Sequence, residues 1–399
     1  MAMAQQVTKC SINMGGAGSG TTMEPRCITR DLDSKSGISV RACPQAKIDV
    51  GYTDNVFRES SDAVGDGFVQ LSPSLEVDYL GLRHDLGMNF GLSTRRQFRR
   101  SSNNFIDLRG SANGTWRISR NTSVNTIASF RRGQESRESL EAAGTRRELA
   151  SFVRASGGAG VTYAHADGFV SLGQTISHRR FLSDSTEFAT TRDNITYKTS
   201  GCVGRTLARR LGIVLIGRGT YVDRLSNNGV TSANDNYTVS ALASFVYRYT
   251  GITQLEMGMG WLRTATLGME TQDKNAFVLR GAMKWRVTDL TTINTGIATR
   301  ASQTGVGGSG VLLQRRQHIG VSHDLLPRVR LTASTHLSTQ DVQGADANAR
   351  TWSGGLSAGY QLHSRAQIMG RYRHTRRLGR GGQASFVTNS FVISFVAAY

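Results

Sequence analysis

Arginine is the residue type in this sequence with the clearest capacity for chemistry. It accounts for most of the excess positive charge, which is +19 in a chain of 399 residues. A guanidinium group presents several donors in one plane and stays charged at physiological pH, so it suits carboxylates and sulfates. The arginines therefore predict a surface that receives anions.

The cations fall into strand-like segments, of which Phe277 to Trp285 is the clearest. Its odd positions are apolar or small, and its even positions include Arg280 and Lys284. A period of two is typical of a β-strand with one apolar and one polar face. The same alternation recurs from residue 46 onward. The predicted row of inward cations is Arg95, Arg109, Arg117, Arg154, Arg248, Arg280, Lys284, Arg286, Arg300, Arg316, Arg328, Arg330, Arg371 and Arg373.

Composition narrows the architecture that can position this row. The chain has 45 glycines, 4 prolines and only 38% apolar residues, which is little for a soluble protein of this size. No run approaches the length of an apolar transmembrane helix, and the closed barrel is the other backbone arrangement that spans a bilayer. An arginine facing lipid near the midplane would cost about 2–4 kcal/mol, so the cations are expected to line the lumen.

Connections between the strand-like segments alternate between tight turns, such as Gly81-Leu82 and Thr288-Asp289, and longer polar loops. The sequence therefore predicts an all-β, transmembrane, antiparallel up-and-down barrel of about 18 strands, with about 16 as the alternative. We assign residues 46–399 to the barrel and residues 1–45 to a periplasmic arm or plug. The first strand, at 47–57, would close against the last, at 386–399. Short turns and both termini are expected on the periplasmic side.

The end of the chain and its cysteines carry further signals. Phe391, Ile393, Phe395 and Tyr399 share one face of the last segment. They resemble the signal by which the barrel assembly machinery recognises outer-membrane barrels. The four cysteines are Cys10, Cys27, Cys43 and Cys202. A periplasmic disulfide such as Cys27–Cys43 is compatible with this pattern, but the spacing leaves the connectivity open.

Residues 47–79 resemble the opening of the family called "putative β-barrel porin 2", which begins with Gly-Tyr-x-x-Asn-hydrophobic-Phe-Arg, then an Asp and a Ser/Thr-Pro. The matching residues here are Gly51, Tyr52, Asn55, Val56, Phe57, Arg58, Asp62 and Pro73. The resemblance implies a barrel in the lipid of a Gram-negative outer membrane. Because several members are linked to export of exopolysaccharide or capsule, it also implies periplasmic polysaccharide-export proteins as partners.

Function follows from the charged row. Fixed positive charges in a lumen attract anions, so we expect a conduit for anionic exopolysaccharide or other anionic solutes. The arginines could instead pair with inward acids and rigidify the lumen. The acids concerned are Asp49, Glu76, Asp78, Asp85, Asp107 and Glu256.

Two other functions are compatible with the sequence. One alternative is a structural or adhesive barrel with a plugged lumen, and another is an outer-membrane hydrolase using His178 or His374. Nucleic-acid binding is not expected, because the basic residues are scattered along the chain rather than gathered in a patch. The sequence shows no catalytic motif and no metal or cofactor motif, so we expect no enzyme, cofactor or metal.

Overall fold

A computed structural model describes residues 28–33, 38–139, 149–182, 193–225, 235–249, 251–267, 274–303, 311–342 and 347–398. The strands are β1 (Ile28–Asp33), β2 (Ile38–Thr53), β3 (Asp66–Leu80), β4 (His84–Gln97), β5 (Phe105–Arg117), β6 (Thr122–Gln134), β7 (Ser151–His165), β8 (Gly168–Phe181), β9 (Asn194–Ala208), β10 (Leu211–Arg224), β11 (Asn236–Tyr249), β12 (Thr253–Thr266), β13 (Lys274–Arg286), β14 (Thr291–Gln303), β15 (Val311–Leu326), β16 (Val329–Val342), β17 (Asn348–His363), β18 (Ala366–Arg380) and β19 (Phe386–Ala398). A 3₁₀ turn lies at Ser101–Asn103. Within these ranges no helix is long and apolar enough to cross a membrane.

Strands β2 to β19 form a closed antiparallel barrel of 18 strands, as predicted. Each strand pairs with the next along the chain, and β19 closes the ring against β2 from Ser390–Thr53 to Ala398–Gln45. Closure pairs every wall strand on both edges, so the barrel leaves no open edge for the bilayer to meet. Short turns join the strands at one end of the barrel, called the turn end, and longer connections join them at the other, the loop end.

The first barrel strand begins earlier than the pattern predicted. It spans Ile38–Thr53 rather than 47–57, and β1 precedes it within the region assigned to an arm. Residues 38–42 of β2 pair with β1, and residues 45–53 pair with β19. Pro44 lies between these two stretches and pairs in register with Leu75 on the β3 side. The division of the chain into an arm and a barrel at residue 45 stays a prediction.

Cross-strand register separates the side chains into two faces. One face carries the large apolar residues, and these are exposed: Ile106 is 64% exposed, Met257 61% and Leu356 62%. Aromatic side chains flank this band, with Tyr163 and Trp285 towards the turn end and Trp352 towards the loop end. An apolar band between aromatic girdles is the lipid-facing surface of an outer-membrane barrel. The opposite face lines the lumen.

Candidate functional site

The register places the predicted strand cations on the lumen face. Arg280, for example, lies beside Gly258 and Ala298, whereas its chain neighbour Leu279 shares the outward row with Met259. The same parity holds for Arg95, Arg109, Arg117, Arg154, Arg248, Lys284, Arg286, Arg300, Arg316, Arg330, Arg371 and Arg373. Arg328 is the exception. It lies in the turn between β15 and β16, so its expected position on a strand face was wrong.

Several lumen cations were missed by sequence reasoning. Arg131, Arg179, Lys198 and Arg218 all share the inward row of their strands. Arg218 looked like an irregularity because it shares a row with Val214 and Ile216. That row faces the lumen, and both apolar residues are buried there. The alternation of inward and outward residues along β6 and β8 was enough to place Arg131 and Arg179 on the lumen face.

Strands β2–β6, called the paired wall, hold acids and bases in ion pairs. Asp85 accepts from Arg117 with an N–O distance of 2.5 Å, and Asp107 accepts from Arg131 at 2.7 Å. At the turn end of β2 and β3, Asp78 accepts from Arg41 at 2.6 Å. These pairs are partly exposed, so each contributes little stability. Their main consequence is that positive and negative charges on this wall largely cancel.

Strands β7–β18, called the basic wall, hold few acids in the lumen. In the described strands of this wall the inward acids are Glu256 and Asp324. Glu256 is 5% exposed, and its Oε1 lies 3.3 Å from Nε of Arg280. Asp324 accepts from Nη2 of Arg330 at 2.9 Å. The remaining inward cations of this wall greatly outnumber these acids, so the wall carries a positive surplus.

The surplus is concentrated rather than evenly spread. The side chain of Lys198 on β9 lies within electrostatic range of Arg154, Arg218 and Arg300, although β9 and β14 are five strands apart. Arg300 also acts on Arg280 and Arg316. The field of Arg300 therefore reaches cations on β9, β10, β13 and β15. A low-dielectric wall focuses the field of such a group.

The family-like motif after β2 builds a second feature, the mouth cluster, at the loop end. It consists of residues 54–58 together with Arg377, Thr388 and Asn389. Asn55 is 1% exposed, and its Nδ2 donates to the carbonyl oxygens of Glu59 at 2.7 Å and Val387 at 3.0 Å. The backbone N–H of Glu59 donates to Oδ1 of Asn55 at 3.0 Å. One asparagine side chain therefore fixes the loop and ties it to the last strand.

Arginines complete the mouth cluster. Arg58 has a φ of 61°, and its Nη1 donates to Oγ1 of Thr388 at 2.7 Å. Arg377 is 1% exposed, and its Nη1 donates to the carbonyl oxygen of Glu138 at 3.0 Å. Burial lowers the pKa of the Arg58 guanidinium, and the nearby Glu138 carboxylate acts in the opposite direction. The cluster therefore joins the loop after β2, the loop after β6 and strands β18 and β19.

The two cysteines in the described residues face the lumen. Cys43 on β2 and Cys202 on β9 are each 3% exposed and disulfide-bonded. Cys202 lies in a buried apolar patch with Phe169, Val214 and Ile216. Cys10 and Cys27 lie outside the described residues, so the proposed Cys27–Cys43 pair stays a prediction.

The histidines suggested for a hydrolase lie on the outward row. His178 pairs in register with Ala155, and Nδ1 of His374 lies 2.8 Å from Oδ1 of Asn389. The ring of His374 also packs against Trp352 with centroids 5.4 Å apart. Across the described strands and loops, no group of His, Cys, Asp and Glu side chains is placed to hold a metal ion.

The C-terminal residues lie where the sequence predicted. Phe391, Ile393 and Phe395 are on the lipid-facing row of β19 and are 50%, 46% and 41% exposed. Tyr399 lies outside the described residues. The recognition of this ending by the assembly machinery stays a prediction.

A closed barrel with an apolar outer band and a charged lumen defines an outer-membrane, porin-like channel. The sequence comparison gives the particular family. The chain belongs to the family described as "Putative beta-barrel porin 2", whose model matches residues 41–399. No curated protein matches the chain.

Solved structures share the fold at low sequence identity. OccK2 (OpdF) of Pseudomonas aeruginosa is 14% identical with a TM-score of 0.50, and the match covers 90% of this chain and 98% of that one. OpdK of the same organism is 11% identical with a TM-score of 0.48, covering 90% and 99%. The FrpB iron transporter of Neisseria meningitidis is 9% identical with a TM-score of 0.48, covering 84% of this chain. The present chain spans 62% of the FrpB chain. At these identities the likeness shows the fold alone.

Proposed function

We propose that this barrel is a passive channel that prefers anions, and that anionic exopolysaccharide is among its cargoes. The observation that carries the proposal is the positive surplus on the basic wall, where Glu256 and Asp324 face a much larger set of inward cations. A lumen with fixed positive charge concentrates anions and repels cations. On the paired wall the acids cancel most of this field, so the selectivity is assigned to β7–β18.

The same proposal includes the orientation of the barrel in the membrane and its partners. Short turns are periplasmic in bacterial barrels, so the turn end, with both ends of the barrel sequence, is assigned to the periplasm. Periplasmic polysaccharide-export proteins would then meet the turn end. We place no catalysis in the lumen, because the family and the structural neighbours are porins and receptors.

Reversal potentials in planar bilayers test this function. The purified full-length barrel is inserted between two KCl solutions of different concentration, and the reversal potential gives the permeability ratio of chloride to potassium. We expect a ratio above one. A cation-selective pore, or one closed at all voltages, would overturn the proposal.

A plugged, structural barrel is the second candidate, and Cys202 favours it. This residue lies on the lumen face of β9 and is disulfide-bonded, and the other cysteines are at positions 10, 27 and 43. A disulfide within the chain would therefore join β9 to the N-terminal part of the sequence. If that linkage blocks the lumen, wild-type conductance is near zero and rises in Cys202→Ser or after reduction with dithiothreitol. An open wild-type pore with the same conductance as the reduced and Cys202→Ser proteins would exclude this candidate.

A further inference from the structure

Four arginines stand side by side across neighbouring strands of the lumen. The register pairs Arg109 on β5 with Arg131 on β6, Arg131 with Arg154 on β7, and Arg154 with Arg179 on β8. We call these four residues the arginine ladder. Strands lie roughly 4.8 Å apart, so the ladder extends over about 14 Å of wall. Because barrel strands are tilted, a row that crosses them climbs along the lumen instead of forming a flat ring.

A row of hydroxyl groups accompanies the ladder. Ser111, Ser129, Ser156 and Ser177 are paired in register on the same four strands. Each lies two residues from the arginine of its strand, which is about 7 Å along the chain direction and on the same face. The two rows are connected, since Nε of Arg154 donates to Oγ of Ser177 at 2.9 Å. Cations and hydroxyls therefore form two parallel rows on one surface.

Protein carboxylates neutralise the ladder only in part. Arg131 is paired with Asp107 at 2.7 Å, and Nε of Arg154 donates to Oγ of Ser177. Arg109 makes no ion pair within the described residues, and it is exposed to the lumen. Its side chain passes over Gly91, where a Cβ atom would lie 2.7 Å from Nε of Arg109. Like charges directly opposite each other on neighbouring strands are destabilising, so an anion bound between them would offset their repulsion.

Space for a ligand lies against the ladder. A cavity of about 380 Å³ is lined by Arg109, Arg131 and Arg154 together with Ser129, Ser156 and Asn89. None of its lining residues is an acid. Guanidinium groups bind carboxylates through two parallel hydrogen bonds, and serine and asparagine side chains exchange hydrogen bonds with hydroxyl groups. The lining matches a ligand that carries both groups.

From this geometry we infer that the arginine ladder and its serine row are a binding site for uronates in short oligomers. Successive carboxylates would lie on successive arginines, and the sugar hydroxyls would meet the serines and Asn89. The inference deepens the proposed function, on which it rests, by naming the class of anion and the strands that hold it. The ladder also belongs to both walls, since β5 and β6 are in the paired wall and β7 and β8 are in the basic wall.

Binding is tested by isothermal titration calorimetry of the folded full-length barrel in detergent, with trigalacturonate as the probe and neutral maltotriose as the comparison. We expect trigalacturonate to bind and maltotriose to give no signal. Arg154→Gln should weaken binding at least tenfold. Arg154→Lys, which keeps the charge but loses the planar pair of donors, should also weaken it several-fold. Heat-modifiable electrophoretic mobility confirms that each variant is folded.

The matched control is Arg286→Gln, which removes one inward cation of β13 away from the ladder. Its affinity for trigalacturonate should change less than twofold. Absence of wild-type binding, or equal losses in Arg154→Gln and Arg286→Gln, would overturn the ladder site. Neither result depends on whether the pore conducts or on its chloride preference, so the failure of the ladder is distinguishable from the failure of the proposed function.

Discussion

Both walls of the lumen carry arginines, but they differ in how many acids lie beside them. On the paired wall, Arg117 and Arg131 lie against Asp85 and Asp107 in partly exposed ion pairs. On the basic wall, Lys198, Arg218 and Arg300 lie within electrostatic range of one another. The buried acid Glu256, which acts on Arg218, is paired with Arg280. An arginine-rich lumen is therefore not uniformly positive: the field depends on where the acids are, and they are concentrated in the first strands.

The largest effect expected from this comparison concerns Glu256. Changing Glu256→Gln removes a buried carboxylate whose Oε1 lies 3.3 Å from Nε of Arg280. Breaking a buried ion pair from one side is strongly destabilising, so we expect the free energy of unfolding to fall by about 3 kcal/mol. Urea titration of the barrel in lipid vesicles measures it. The control is Asp85→Asn on the paired wall, where an exposed pair is lost and the cost should stay below about 1 kcal/mol. Equal costs for the two variants would contradict the contrast between the walls.

The next largest effect concerns the seam, the edge at which β19 pairs with β2 of the paired wall. Asn55→Ala leaves the Val387 carbonyl and the Glu59 amide without their buried partner. We expect the free energy of unfolding to fall by roughly 2 kcal/mol, measured by the same urea titration. Asn125→Ala serves as the control, since Asn125 is an exposed lumen residue bonded to Thr115. A cost for Asn55→Ala no larger than that of the control would show that the mouth cluster does not secure the seam.

Selectivity should respond to the basic wall more than to the paired wall. The double variant Arg218→Gln/Arg300→Gln removes two cations of the basic wall, and we expect the chloride-to-potassium permeability ratio to fall several-fold. The matched variant Arg117→Gln/Asp85→Asn removes a cation and an acid together, so its reversal potential should equal that of the wild type. If the matched variant shifts the ratio as much as the first, the paired wall is not electrically neutral.

A high salt concentration should reduce the difference in permeability ratio between the wild type and Arg218→Gln/Arg300→Gln. At about 1 M ionic strength the Debye length is roughly 3 Å, so the fixed charges are screened over most of the lumen. The permeability ratios of the wild type and of Arg218→Gln/Arg300→Gln should converge in concentrated KCl. Reversal potentials recorded from dilute to concentrated salt measure the trend. A gap that persists at high salt would assign selectivity to direct contacts or to pore width rather than to the field of the basic wall.

The local sequence pattern was enough to predict the lipid-facing and lumen-facing rows of the strands and the number of strands. Alternation with a period of two depends on neighbouring residues alone, and a bilayer enforces it because lipid-facing cations are costly. It therefore placed Arg280 and Arg371 correctly. It failed for Arg328, where a turn follows β15, and for the start of β2, which lies at Ile38 rather than at residue 47.

The sequence by itself determined the barrel, its antiparallel hairpins and the side of the wall on which the predicted strand cations lie. Only the tertiary structure decided which charged side chains lie next to each other. The alignment of Arg109, Arg131, Arg154 and Arg179 arises from the register of four strands, and register depends on pairing across long stretches of chain. Arg58 and Thr388 are likewise brought together only when the last strand closes on the first. The faces of the barrel follow from local chemistry, whereas the charge balance of its lumen follows from closure.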